Sequence, residues 1–120
     1  NSTPDDETLP TYERKDDYDF TGSIGDQSND IYDIISKYKN VFFLNGHLHT
    51  GFGQYSYDKI GNIHGVNVPS TTIVNKDGDY NEPATGYVTE VYSDKVIFRA
   101  RDFGKGVYVP EYDIEIALAK

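Results

Sequence analysis

Two of the chain's three histidines, His47 and His49, flank a single leucine in the stretch "FFLNGHLHTGFG" from Phe42 to Gly53. Imidazole is neutral near pH 7 and is a common ligand for zinc, iron and manganese. In extended backbone, residues i and i+2 point the same way, so both rings are expected to face one place. Gly46 carries no side chain, which lets the chain turn sharply after the apolar run and lets a ligand come close. Two imidazoles do not make a closed metal site. Carboxylate, further imidazole or water must complete a catalytic centre. The competing reading is a solvated loop whose His-x-His is incidental.

The elements around the pair bear on this choice. Ile31, Ile34, Ile35 and Tyr38 fall at i, i+3, i+4 and i+7, which predicts an amphipathic helix of about ten to twelve residues. Asp26 or Ser28 can cap its start, and Asp30 suits the positive end of its dipole. Lys37 and Lys39 sit where the negative end is expected. The apolar residues 41–44 then predict a strand buried on both faces. Helix, tight turn and buried strand form half of an α/β unit. Ligands in such sheets sit beyond the carboxyl ends of strands, where the His pair lies.

The rest of the chain reads as β-rich. Residues 63–68 alternate and stop at Pro69. Residues 86–92 and 95–101 predict a hairpin joined by Ser93-Asp94. Residues 112–118 alternate and predict a last strand, while residues 75–83 form a polar loop. No internal repeat is visible. The 120 residues suffice for one domain, which would bury roughly 65% of its unfolded surface. Hydrophobic content is 37%, low for such a domain, but 11 Tyr and 6 Phe add bulk. A net charge of −9 argues against nucleic acid and against anionic membrane surfaces. An anionic substrate would need a local cation, and a metal ion would serve. The lack of Cys excludes disulfides, thiolate catalysis and Cys-based zinc sites, and leaves the compartment, cytoplasmic or exported, open. No apolar run approaches ~18 residues, and no signal peptide is visible. The chain opens on Asn1 instead of Met, so a processed form or a fragment is expected. Residues 1–22 read as an acidic, irregular lead and residues 23–120 as the folded portion.

"NVFFLNGHLHTG" resembles the C-terminal Gly-His-x-His box of the calcineurin-like metallophosphoesterases. "TGSIGDQSNDIYDIISKYKN" is similar to the helix placed before that box, and "IHGVNVPSTT" and "GYVTEVYSDKVIFRARDF" are similar to the strands after it. The resemblance covers residues 21 to 118. It implies an α/β fold, the C-terminal half of a β-sandwich flanked by helices, with one clear helix and a mixed sheet carrying an antiparallel hairpin. It also implies that His47 and His49 are catalytic and each ligate one of two divalent ions (Mn, Fe or Zn). The chemistry implied is hydrolysis of a small phosphomonoester or phosphodiester, nucleotides and cyclic nucleotides among them, by in-line attack on a phosphate clamped between two metals.

The family's upstream boxes are Asp-x-His, Gly-Asp-x-x-Asp, Gly-Asn-His-Asp/Glu and a lone His, and none is present in order. Gly25-Asp26-Gln27-Ser28-Asn29 nearly copies the second but opens a helix directly before the Gly-His-x-His strand. Gly61-Asn62-Ile63-His64 is a near miss of the third, with an extra residue and on the wrong side. Both read as coincidence. The chain is therefore expected to be the C-terminal part of a phosphoesterase, inactive alone. The alternative class is a non-catalytic, β-rich binding module. The enzyme reading predicts that exchanging both histidines for Ala abolishes metal binding and activity of the parent, and the module reading predicts no loss. A half-sandwich leaves apolar surface or an unpaired edge, so the isolated chain is expected to self-associate.

Other residues carry weaker signals. His64 reads as structural. Asn75-Lys76-Asp77-Gly78-Asp79 has the composition of a calcium loop but not its spacing, and reads as a polar turn. Gly51-Phe52-Gly53 lacks the third glycine of a dinucleotide loop and reads as the rim beside the His pair. Phe52, Tyr55 and Tyr57 read as half-buried sheet residues rather than a stacking surface for substrate. Asn1-Ser2-Thr3 matches a glycosylation sequon.

Overall fold

The computed structural model describes residues 27–72 and 76–120. The acidic lead, the Asn1 sequon, the Gly25-Asp26 pair and Asn75 lie outside the described residues. The chain is α/β and divides into two compact units, Asn1–Leu48 with Tyr57–Asn67, and His49–Ser56 with Val68–Lys120. No helix among the described residues is long and apolar enough to cross a membrane.

The first unit contains helix α1 (Ser28–Ile35) and strands β1 (Val41–Asn45), β2 (Tyr57–Ile60) and β3 (Ile63–Asn67). The sheet is mixed, in the order β1-β3-β2, with β1 parallel and β2 antiparallel to β3. Strand β3 lies in the middle, and Ile63 and Val66, which face opposite sides, are both fully buried. The β2–β3 hairpin closes over Gly61-Asn62. Gly61 has φ 58°, a conformation that two-residue hairpin turns demand and glycine adopts without strain.

Three expectations for this unit are corrected. Helix α1 has eight residues, shorter than its apolar stripe suggests. It stops at Ile35, so Tyr38, Lys37 and Lys39 lie beyond it, and Ile34 stays 56% exposed. The cap position is Gln27 with no side-chain cap bond, and Ser28 is already helical. Instead the Asn62 side-chain amide donates to the Ser36 carbonyl at 3.1 Å and to the Tyr38 carbonyl. A turn between two strands thus satisfies carbonyls that the helix leaves open. Strand β1 is not buried on both faces. Among the described residues it lies at the edge of the sheet, and Leu44 is 56% exposed. Strand β2, with the sequence "YDKI", follows no apolar alternation and is held by pairing with β3.

The second unit is an antiparallel sheet built on β5 (Lys95–Asp102). Strand β4 (Thr85–Val91) pairs along one side of it. The short β6 (Val107–Tyr108) and β7 (Ile114–Ala117) share the other, separated by a 3-10 turn at Pro110–Tyr112. The predicted hairpin is present. Tyr92 N–H donates to the Lys95 carbonyl at 2.8 Å, which leaves Ser93-Asp94 as the turn. The last strand begins later than the alternation suggests, because residues 110–112 form the 3-10 turn.

The core of this unit gathers around Phe52, Ala100 and Val109, with Tyr80, Tyr87 and Tyr112 packed against them. Phe52 is fully buried. Its ring stacks on Tyr112 at 5.9 Å and tilts against Tyr87 at 5.1 Å. Its N–H donates to the Tyr80 carbonyl at 3.0 Å, and its carbonyl accepts from Asp79 and Tyr80. The Tyr87 hydroxyl is buried without a hydrogen-bond partner of good geometry, and burial pushes its pKa up to about 12.

Asp102 is buried at 1% exposure and accepts from the Lys105 N–H at 2.8 Å and the Tyr80 hydroxyl at 2.7 Å. The Lys105 backbone N–H, then the Tyr80 hydroxyl, hold its carboxyl below the ordinary range. A depressed carboxyl contributes stability above its unfolded pKa and loses it as pH falls through the folded value. The unit is therefore expected to lose stability from about pH 4 downward. Asp102→Asn should be less stable at pH 7 and show a flatter acid limb in urea melts run between those pH values. An acid limb identical to that of the parent would contradict this assignment.

Ala84 has φ 56°, the left-handed region that a Cβ disfavours by about 1–2 kcal/mol. It is held there by accepting from the Phe103 N–H at 2.8 Å and donating to the Thr71 carbonyl at 3.0 Å. Ala84→Gly relieves the strain but adds freedom to the unfolded chain, for a net gain of about 0.5–1 kcal/mol. A higher urea midpoint with unchanged slope is the expected result.

Candidate functional site

The sheet of the first unit brings the carboxyl ends of β1 and β3 side by side, because the two strands are parallel and in register from Val41↔Ile63 to Asn45↔Asn67. At that end the Asn45 Nδ2 donates to the Asn67 Oδ1 at 3.3 Å. The other end of the Asn45 amide, Oδ1, is buried and meets no hydrogen-bond partner. Nothing in the sequence marked Asn45 or Asn67. Asparagine at a strand end is common, and the pairing depends on a register that no local pattern reveals.

His47 follows at once, still in the first unit, and His49 opens the second. Both side chains are exposed, while Leu48 and Thr50 between and after them are buried at 7% and 1%. The exposure alternates as it would in a strand, yet the backbone is not extended. His47 has φ 82° and His49 has φ 56°. The expected i, i+2 geometry of extended chain is therefore corrected. The sharp turn assigned to Gly46 also falls further along, with the bend at Leu48. Gly46 is not among the residues with positive φ, and a Cβ placed on it would meet nothing within 4 Å. The positive φ falls on His47, and Gly46 leaves open space beside it.

Left-handed backbone is uncommon at a residue with a Cβ, although histidine visits it more readily than most. Such conformations cost about 1–3 kcal/mol each and persist only where the surroundings hold them. Downstream of the box the holding groups are clear. Thr50 is buried, and Phe52 is locked into the core of the second unit. The glycines around Phe52 serve this packing rather than a ligand rim. A Cβ on Gly51 would collide with the Tyr80 carbonyl, and one on Gly53 would lie 2.8 Å from the Asp79 nitrogen. Phe52 is thus a core residue, neither half-buried nor a stacking surface.

His64 does not join the pair's chemistry. It lies on β3, stacked at 5.5 Å on Phe42 and at 6.0 Å on Tyr57, and its Nδ1 shares a 2.8 Å hydrogen bond with the Tyr57 hydroxyl. Burial, then the nearby Lys59, lower its pKa. The structural reading of His64 accounts for every one of these contacts.

Among the described residues, no group of three or more His, Cys, Asp and Glu is placed to hold a metal ion. An open pocket of about 300 Å³ in the second unit is lined by Glu90, Arg99, Tyr108, Pro110 and Asp113. Its charges answer one another, with Arg99 2.7 Å from Glu90 and 3.4 Å from Asp113. That network ties β4 and β5 to the residue after the 3-10 turn, one guanidinium between two carboxylates, and reads as structural. The His47-Leu48-His49 segment therefore remains the candidate site. In comparisons with family models, curated proteins and solved structures, nothing matches the chain.

Proposed function

We propose that this chain is the C-terminal part of a metal-dependent phosphoesterase and supplies two imidazole ligands, His47 and His49, to a two-metal centre. The observation that carries the reading is the backbone at the two histidines. Both are held in left-handed conformation and exposed, directly beyond the carboxyl end of a parallel strand. Strain of this kind clusters at ligand clamps, and that end of an α/β sheet is where ligands bind. The donor set suits Mn, Fe or Zn, each of which accepts imidazole. Divalent ions bound there would neutralise charge building on a phosphoester during in-line attack. The chain's own part is to hold the imidazoles, with the open space at Gly46 admitting the substrate.

On this reading the remaining ligands come from a segment other than the described residues, and the isolated chain is inactive. Strand β1, paired only with β3 among the described residues, would continue the sheet into that segment. A small phosphoester, a nucleotide or cyclic nucleotide among the candidates, is the substrate class. In the isolated chain the β1 edge, paired on one side only among the described residues, favours self-association, which sedimentation at increasing concentration would report.

The deciding experiment reads the coding sequence that precedes Asn1. Asp-x-His, Gly-Asp-x-x-Asp and Gly-Asn-His-Asp/Glu in that order would make the His pair the last ligands of a split site. A start codon or an unrelated domain there would sink the phosphoesterase reading in favour of a non-catalytic binding module.

A further inference from the structure

We infer that Asn45 is a third metal ligand of this site, binding through its side-chain oxygen the ion that His47 holds. The inference rests on the metal-centre reading of His47 and adds to it a residue that neither the sequence nor the His-x-His pattern designates. Its basis is the buried Asn45 Oδ1, which has no hydrogen-bond partner. Native proteins pair almost all such atoms, and an exception asks for a missing ion, water or function.

The oxygen is also oriented. Asn45 Nδ2 donates to Asn67 Oδ1 across the β1–β3 register, which fixes the amide and turns its oxygen away from Asn67. The position is close. Asn45 stands two residues before His47, so their Cα atoms are at most about 7 Å apart whatever the turn between them. The chemistry matches as well. A neutral amide oxygen is a hard donor that suits Mn²⁺, and it complements the softer imidazole without adding charge to a chain already at −9.

The test uses the whole 120-residue chain and Mn²⁺ as the probe. Calorimetry gives the Mn²⁺ affinity, and ¹⁵N-labelled protein reports which side-chain amides the paramagnetic ion broadens. The Asn45 amide signal is expected to broaden at substoichiometric Mn²⁺. Asn45→Leu should weaken binding about tenfold or more, in line with losses seen even for groups one shell further out. Asn45→Asp, in which Asn67 can turn its own amide to donate, keeps an oxygen, adds charge and should tighten binding. It serves as the second variant if the leucine disrupts folding.

Two results overturn the inference in distinguishable ways. Wild-type affinity in both Asn45 variants, with binding lost in His47→Gly, would leave the metal-centre reading standing and reduce the Asn45 oxygen to a water acceptor. No Mn²⁺ binding by the 120-residue chain, or binding untouched by every substitution, would overturn the Asn45 inference and leave the metal-centre reading to the coding sequence that precedes Asn1.

Discussion

Phe52→Ala is expected to cost the second unit about 3–5 kcal/mol, the range for deleting a large aromatic ring from a packed core. The residue has no exposed surface and touches the three tyrosines Tyr80, Tyr87 and Tyr112 through its ring. Those tyrosines reach it from three separate parts of the chain, the 76–80 loop, strand β4 and the 3-10 turn. Removing the ring therefore leaves a hole that no single neighbour can fill. The backbone bonds between Phe52 and Tyr80 would survive the truncation, so the loss falls on packing rather than on pairing. Small domains are stable by about 5–15 kcal/mol, and a loss of this size takes a large share of that. Urea unfolding followed by tyrosine fluorescence would measure it. A cost under about 1 kcal/mol would mean that Phe52 does not organise this core. A secondary effect is expected at His49, whose left-handed backbone lies three residues from the anchor. With the anchor gone, chemical shifts at His49 should move toward those of ordinary extended chain.

Replacing His47 or His49 by glycine is expected to lower divalent-ion affinity by about a hundredfold or more, since loss of supporting groups one shell out already costs 10–100-fold. Glycine is the informative substitution. Alanine keeps a Cβ in the same strained backbone, about 1–2 kcal/mol at each site, so with the imidazole gone the segment is free to relax and a change of geometry mixes with the loss of a ligand. Glycine adopts those angles freely, so the fold is kept while the imidazole goes. Thermal unfolding in the absence of metal should therefore hold or rise slightly, as for Ala84→Gly, while Zn²⁺ and Mn²⁺ titrations collapse. If the proposed phosphoesterase reading holds, the same substitutions in the longer protein should abolish phosphoester hydrolysis, read with a chromogenic phosphomonoester and phosphodiester. Unaltered ion binding and hydrolysis would assign the left-handed histidines to chain geometry alone.

What the sequence determined was local. The 3.6-residue spacing of Ile31, Ile34 and Ile35 specified helix α1, because side chains at those intervals share one face. The continuous apolar residues from Val41 specified β1, and the runs on either side of Ser93-Asp94 specified the β4–β5 hairpin, because a two-residue turn couples register to neighbouring chain. The His-x-His spacing was legible for the same reason.

Tertiary structure decided the rest. Strand β2 has no periodic signal and exists because β3 offers it a ladder, and the two-residue β6 depends on β5 in the same way. The helix stops at Ile35, short of its apolar stripe, where the Asn62 amide from the β2–β3 turn takes up the carbonyls that follow. Phe52 became a core residue because residues 78–80, from a loop that read as merely polar, close over Gly51 and Gly53. The buried oxygen of Asn45, paired through its amide to Asn67, lies in the same class. Each depends on contacts between residues distant in the chain, and spacing along a sequence carries no information about those. The two histidines could be read from the sequence, but their positive φ could not, because residue type and spacing do not fix the backbone at a loop.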